Sequence, residues 1–233
     1  MRLDKMLCDN TKYSRSELKK LIKKRQVFVN GVLAKTPEQK VDYTDDIYLL
    51  GEKVFIKRFI YLKMNKPAGV LTAARDRQKT VMDLMPEDFY KKDLFPVGRL
   101  DKDTTGVLIF TNDGALAHKL LSPKSHVKKV YEVYVDKPLS LDLPEKFSKP
   151  LKFYDGTEIR PSELEIIEEN KALLTICEGK YHQVKRMFGL FSYKVEKLHR
   201  KSFAGISADD LPEGEIREIN AAEKNLLLST NSL

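Results

Sequence analysis

The sequence predicts an α+β protein in two parts, and two observations support this division. Residues 1–60 contain 14 Lys and Arg against 8 Asp and Glu, whereas the other 173 residues contain 28 and 26. From Tyr61 onward, short β-like runs separated by Pro and Gly alternate with a few helical stretches. A chain of 233 residues that is 42% hydrophobic can build one ordinary domain and a small appendage.

The first part should contain a short helix followed by a hairpin. Ser14 and Glu17 have the spacing of a helix-capping box, and the apolar residues Leu18, Leu21 and Ile22 then recur at helical spacing. Residues 27–32 read V-F-V-N-G-V, in which Asn-Gly favours a tight turn between β-branched residues. The sequence therefore predicts a helix from about residue 15 and two short strands after it.

The same helix carries most of the excess positive charge. Residues 12–25 contain seven cations against one anion. Such a run is either a solvated helix face or a surface that binds phosphates. The second interpretation is favoured because like charges at this spacing repel one another unless an anion lies nearby. The residues predicted to contact RNA in this part are Arg2, Arg15, Lys19, Lys20, Lys23, Lys24 and Arg25.

The second part should be a mixed α+β domain. Its strands are predicted at 61–64, 107–110, 130–135 and 173–177, with a helix at 116–121. The chain contains no glycine-rich nucleotide loop, and its four histidines lack metal-ligand spacing, so neither cofactor nor metal is expected. Two isolated cysteines and the absence of a leader or long apolar run indicate a reduced, cytoplasmic protein that does not enter membranes.

One loop is the strongest candidate for chemistry. Residues 98–108 read G-R-L-D-x-x-T-x-G-V-L and place Asp101 between cations, directly before an apolar strand. An isolated G-R-L-D would usually be a turn aspartate that bonds its own backbone. Three more segments of the chain contain distinctive patterns: N-K-P-x-G-V at 65–70, K-V-Y-E-V at 129–133 and E-G-K-Y-H-Q-V-K-R-M-F at 178–188. Separately these could be a turn, a packing strand and a basic amphipathic helix.

Together the four segments resemble the motifs of pseudouridine synthases. Residues 1–53 resemble the S4 RNA-binding domain, which one branch of that superfamily carries. The resemblance implies an S4 domain at 1–53, a linker at 54–60 and a catalytic domain at 61–233. It also implies a mixed, mainly antiparallel central sheet and an RNA-binding cleft.

The resemblance assigns roles to individual residues. Asp101 would be the essential carboxylate, Tyr131 would meet the flipped base, and Lys185 would supply a cation to Asp101, with Arg186 as the alternative. Supporting residues would be Arg99, Arg186, Pro67 and Gly69, and further RNA contacts would be Lys129, Lys180 and His182.

Residues 178–200 most resemble the members that modify small-subunit ribosomal RNA. The expected reaction is isomerisation of a uridine in 16S RNA, at a site of the uridine 516 type, in free RNA or an assembling small-subunit particle. The alternatives are a 23S RNA enzyme of the same branch and an inactive RNA-binding assembly factor. The protein is expected to be a monomer without a cofactor.

Overall fold

The computed structural model describes residues 1–90 and 93–229, apart from the side chains of Asp88 and Tyr90. It divides into two compact units. The first unit comprises Met1–Ile60 and Pro86–Leu94, and the second comprises Tyr61–Met85 and Phe95–Leu233. No helix among the described residues combines the length and the apolar character that crossing a membrane requires.

The first unit packs helices against a small antiparallel sheet. Its helices are α1 (Leu3–Asn10), α2 (Arg15–Lys23) and α3 (Glu87–Tyr90), and its strands are β1 (Val27–Val29), β2 (Val32–Leu33), β3 (Ile47–Leu49) and β4 (Glu52–Lys53). The strand order is β2-β1-β3-β4.

The predicted helix and hairpin of this unit are confirmed. Ser14 Oγ accepts from the amide of Glu17 at 3.3 Å, and Glu17 Oε2 accepts from the amide of Ser14 at 2.8 Å, which is the capping box. Leu18 and Ile22 are buried, so the apolar stripe of α2 faces the core. Asn30 and Gly31 both have positive φ, as a tight turn between β1 and β2 requires.

The predicted basic residues of α2 and its C-terminal end lie on the surface. They are Arg15, Lys19, Lys20, Lys23, Lys24 and Arg25. Arg2 is also accessible, but its guanidinium forms ion pairs with Asp4 and Glu38 at 2.9 Å each.

The second unit is built on a mixed, mainly antiparallel sheet, as predicted. Its strands are β5 (Tyr61–Lys66), β6 (Phe95–Pro96), β7 (Thr105–Thr111), β8 (Lys129–Val135), β11 (Glu163–Glu168), β12 (Lys171–Ile176), β13 (Val195–Phe203), β14 (Ile206–Ser207) and β15 (Ile216–Glu218). The strand order is β11-β12-β8-β13-β7-β5-β15, with β6 on β7 and β14 on β13. Only β7 and β13 pair in parallel among the strands described in this sheet.

The remaining elements of this unit surround the sheet. A separate hairpin is formed by β9 (Leu151–Lys152) and β10 (Glu158–Ile159). The helices are α4 (Gly114–Leu121), α5 (Leu143–Phe147), α6 (Gln183–Gly189) and α7 (Ala221–Ser229), with 3₁₀ turns at Val81–Leu84 and Pro123–Ser125. The four predicted strands lie in β5, β7, β8 and β12, and the predicted helix lies in α4; Cys177 follows the end of β12.

Gly106 allows the parallel pair to form. It lies opposite Arg200, and its φ is +104°. A Cβ atom at this position would lie 2.2 Å from the carbonyl oxygen of Arg200. Any side chain would therefore push β7 and β13 apart, which explains the glycine in the T-x-G part of the 98–108 segment.

Candidate active site

The loop that carries Asp101 is fixed from several sides. The carbonyl of Asp101 accepts from the amide of Thr104 at 3.1 Å, and β7 begins at the next residue. Thr72 Oγ1 donates to the carbonyl of Leu100 at 2.9 Å and accepts from its amide at 3.2 Å. The side chain of Asp101 is 29% exposed, so its carboxylate is held on a fixed backbone yet open to a ligand.

Two residues from the segment 178–188 face this carboxylate. Lys185 Nζ lies 3.8 Å from Asp101 Oδ2, and His182 Nε2 lies 3.6 Å from Asp101 Oδ1. His182 is predicted only as an RNA contact, because no local pattern in the chain indicates that its ring lies beside Asp101. The loop and the segment are separated by about 80 residues in sequence, so only the fold brings them together.

Lys185 makes its shorter contacts with Asp103. The ammonium lies 2.7 and 2.6 Å from the two oxygens of that carboxylate. The hydrogen bond from Lys185 lowers the pKa of Asp103 below its ordinary value. Lys185 thus joins two carboxylates of one loop. Sequence reasoning missed Asp103, although a second acid two residues after Asp101 was the available signal.

Arg186, the alternative partner of Asp101, is engaged elsewhere. Its guanidinium pairs with Asp155 at 2.5 Å and lies 3.9 Å over the ring of Phe153. Both residues belong to the β9–β10 hairpin region. The geometry therefore favours Lys185 as the cation of the site and gives Arg186 a role in holding the hairpin against α6.

A buried lysine links the segment 65–70 to the Asp101 loop. Lys66 Nζ donates to the carbonyls of Pro67 and Thr104 at 2.9 Å and to that of Lys102 at 3.3 Å. Burial lowers the pKa of Lys66 to about 8, although the carboxylates of the loop partly oppose this effect. The amide of Gly69 also donates to the carbonyl of Lys102 at 2.8 Å, with φ of +82°. Pro67 and Gly69 thus lie where they shape the loop.

Tyr131 belongs to a row of facing residues that crosses the sheet. The row runs from Lys66 through Gly106 and Arg200 to Tyr131. Facing residues on paired strands project to the same side of a sheet. The side chain of Tyr131 is therefore on the side of Lys66 and Arg200, and only 7% of the residue is exposed.

Two polar atoms in this region lack a hydrogen-bond partner within the described part of the chain. They are Nη2 of Arg200 and Oγ1 of Thr104. Arg200 is 2% exposed, and its Nε donates to the carbonyl of Val107 at 2.9 Å. Buried donors are rarely left unpaired, so these atoms are available to a ligand or water.

The prediction that Lys129 binds RNA is not supported by its position. Lys129 is 7% exposed, and its Nζ donates to the carbonyl of Val127 at 3.2 Å. Its side chain projects into the buried face of β8, and burial lowers its pKa to about 8. Lys129 is thus a structural residue rather than a surface cation.

The other predicted residues of this domain are accessible. Arg99 is exposed. Lys180 is exposed, and its ammonium contacts the carbonyl of Glu158 and lies 3.8 Å from Glu178.

Comparison with known proteins identifies this architecture. Residues 60–189 match the family model described as RNA pseudouridylate synthase, and residues 1–47 match the S4 domain. A Bacillus subtilis protein named "Uncharacterized RNA pseudouridine synthase YtzG" is 43% identical over 97% of this chain and 98% of its own length. A Vibrio cholerae protein named "Ribosomal small subunit pseudouridine synthase A" is 38% identical over 96% and 97%.

A solved structure gives the same result. The structure titled "Crystal structure of pseudouridylate synthase" superposes with a TM-score of 0.69 at 33% identity and covers 97% of this chain and 99% of its own. The family match includes the Asp101 loop, Tyr131 and Lys185, which the fold positions as described above. The chain therefore belongs to the RNA pseudouridylate synthase family and has the S4 domain at its N-terminal end.

Proposed function

We propose that this enzyme converts a uridine of 16S ribosomal RNA into pseudouridine, at a site of the uridine 516 type, with Asp101 as the essential carboxylate. The arrangement of Lys185 and His182 around Asp101 carries the assignment of the chemistry. The choice of RNA is supported by the relatives from Vibrio cholerae and Pasteurella multocida, both named ribosomal small subunit pseudouridine synthase A, at 38% and 39% identity.

The reaction breaks the bond between C1′ and N1 of uridine and joins C1′ to C5, while C5 loses a proton and N1 gains one. Atoms and electrons balance without an oxidant or water. Asp101 acts at the sugar, as nucleophile or as base, and both roles need the ionised carboxylate. Lys185 places a cation 3.8 Å from Oδ2 of this carboxylate.

The other residues bind and orient the RNA. Tyr131 abuts the flipped base and assists loss of the C5 proton, and Arg99 helps to displace the uridine from its helix. His182 and Lys180 contact the RNA beside the site. The exposed cations of α2 bind structured RNA through its phosphates, which provides affinity without reading base edges. The enzyme acts as a cytoplasmic monomer on free 16S RNA or on an assembling small-subunit particle.

Release of tritium from RNA labelled at C5 of uridine tests this proposal. We expect release from 16S RNA, or from an assembling small subunit, and none from 23S RNA. Reverse transcription after carbodiimide treatment then maps the modified position. Release from 23S RNA alone would overturn the choice of RNA, and modification of 16S RNA elsewhere would overturn the uridine 516 assignment.

A further inference from the structure

The exposed ring of Tyr181 stacks on His182, which lies beside the carboxylate of Asp101. Tyr181 is 76% exposed, and its ring stacks on that of His182 with centroids 3.9 Å apart and an angle of 19° between the planes. His182 in turn lies 3.6 Å from Asp101. One part of the tyrosine ring is covered by His182, and the larger part faces solvent.

The turn that presents this ring is held rigidly from below. Gln183, only 4% exposed, accepts from the amide of Lys180 at 2.9 Å and donates to Glu178 at 3.0 Å. Glu178, 7% exposed, also accepts from the amide of Arg160 at 3.0 Å. The backbone of His182 is in the left-handed region, with φ of +47°, which residues other than glycine seldom adopt. Such strain is characteristic of functional turns whose surroundings fix them.

The surroundings of Tyr181 suit a nucleotide. An open groove of about 730 Å³ extends from Gly179 and Lys180 past Lys152 and Arg160. The groove is lined by the cations Lys152, Arg160 and Lys180 and by the carboxylates Glu158 and Glu178, so its charged side chains are net positive and attract a phosphate backbone. Proteins that bind unpaired bases stack them on exposed aromatic rings, because every base has a flat π face.

We propose that Tyr181, supported by His182, is the stacking platform for the base of a nucleotide next to the target uridine. When the uridine turns out of its helix, its neighbours lose a stacking partner. Tyr181 replaces that partner and fixes the RNA strand relative to Asp101. The proposal rests on the assignment of Asp101 as the reacting carboxylate, and it holds whichever ribosomal RNA is the substrate.

A binding cycle tests the platform. The probe is a short RNA hairpin that carries the mapped uridine, prepared intact and with an abasic nucleotide on the 5′ or the 3′ side of the uridine. Dissociation constants are measured for the full-length wild type and for Tyr181→Ala. We expect Tyr181→Ala to weaken binding of the intact hairpin by about tenfold. One of the two abasic hairpins should bind the wild type about tenfold more weakly than the intact hairpin does. Tyr181→Ala should bind that abasic hairpin as tightly as it binds the intact one.

Three further variants make the result specific. Tyr181→Phe keeps the ring and should bind within about twofold of the wild type, whereas Tyr181→Leu, which is apolar without a flat face, should resemble Tyr181→Ala. Tyr154→Ala is the matched control, since Tyr154 is a 94% exposed tyrosine on another turn of the same domain. Any loss it causes should be equal for intact and abasic hairpins.

Two results would overturn the platform. One is unchanged binding of the intact hairpin by Tyr181→Ala. The other is a loss that stays the same on the intact and both abasic hairpins, which would mean that Tyr181 does not contact a neighbouring base. Failure of the Asp101 assignment would appear separately, as tritium release by Asp101→Asn.

Discussion

Lys185 contacts the carboxylates of both Asp101 and Asp103, and the two contacts differ in length. The distances to Asp103 are 2.6 and 2.7 Å, whereas the distance to Asp101 is 3.8 Å. Asp103 is 70% exposed, so its pair with Lys185 contributes little to stability. We interpret Asp103 as the residue that holds the Lys185 ammonium in place while Asp101 remains free to reach the sugar.

Substitution of the two carboxylates should separate their roles. Asp101→Asn keeps the size of the side chain but removes the nucleophile or base, so tritium release should fall by about 1,000-fold or more. The matched variant Asp103→Asn should reduce turnover by about tenfold at most, because Lys185 still faces Asp101. Both variants should bind RNA as tightly as the wild type. Comparable turnover in Asp101→Asn and the wild type would refute the assignment of the chemistry to this loop.

Substitutions of Lys185 test its role as the cation beside Asp101. Lys185→Met leaves two carboxylates without their shared cation, so turnover at neutral pH should fall by about 100-fold, and the pKa of Asp103 should rise towards its ordinary value. Lys185→Arg should be milder because the charge remains, although a planar guanidinium fits differently. Single-turnover rates and NMR titration of Asp103 give the two readouts.

Arg186→Met is the adjacent control for this prediction. Its guanidinium holds the β9–β10 hairpin through Asp155 and Phe153 rather than contacting Asp101. Because Lys152 of that hairpin lines the groove, RNA affinity should suffer more than turnover. If turnover collapsed in Arg186→Met and stayed near normal in Lys185→Met, the two roles would have to be exchanged.

At the scale of elements, α7 is attached to the sheet by a compact ionic cluster. Lys63 on β5 is 2% exposed and contacts Glu223 of α7 at 2.7 Å and also Asp210. Arg217 on β15 contacts both carboxylates, at 2.8 and 2.6 Å. Burial alone would raise the pKa of Glu223, but hydrogen bonds from Arg217 and Lys63 outweigh it and lower that pKa to about 2.

This cluster predicts a pH dependence of stability. A carboxylate whose pKa is about 2 in the folded state and 4.5 when unfolded stabilises the fold above pH 4.5 and loses this contribution as the pH falls towards 2. Glu223→Gln should therefore lower the free energy of unfolding by about 1–3 kcal/mol at pH 7. The difference from the wild type should disappear between pH 4.5 and 2.

Urea unfolding of both proteins across this pH range measures the difference. Glu215→Gln, at an exposed carboxylate just before β15, is the control and should unfold like the wild type at pH 7. A difference for Glu223→Gln that persisted unchanged at pH 2 would mean that the ion pairs of Glu223 do not stabilise the fold.

At the scale of the whole molecule, positive charge is unevenly distributed. Residues 1–60 carry a net charge of +6 out of +8, and the cations of α2 that contribute to it are exposed. The Asp101 loop and its partners lie in the other unit. This division assigns most of the salt-sensitive RNA affinity to the first unit and the chemistry to the second.

Neutralising one helix face should reveal this division. Changing four lysines to Gln should weaken RNA binding and reduce the slope of log affinity against log salt by about 3; they are Lys19, Lys20, Lys23 and Lys24. Each phosphate contact that is lost leaves one more counterion bound to the RNA in the complex. Turnover at saturating RNA should change little. Lys146→Gln with Lys149→Gln is a control, because both lysines pair with carboxylates one turn away. An unchanged slope would mean that the α2 face is only solvated.

The sequence by itself determined the two-part organisation, the Ser14 capping box, the Asn30-Gly31 turn and the loop that carries Asp101. These features depend on local spacing, because a cap, a tight turn or a strand is specified by residues that are neighbours in the chain. The family resemblance placed Lys185 near that loop but could not separate it from Arg186.

Only the tertiary structure decided which side chains meet. Lys129 and Arg186 look like surface cations in the sequence, yet β8 buries the first, and the β9–β10 hairpin engages the second. Asp103, His182 and Lys66 join the site through contacts between distant segments. Residue type and spacing along one strand or helix do not specify such contacts, because the pairing of β7 with β13 and the position of α6 bring those segments together.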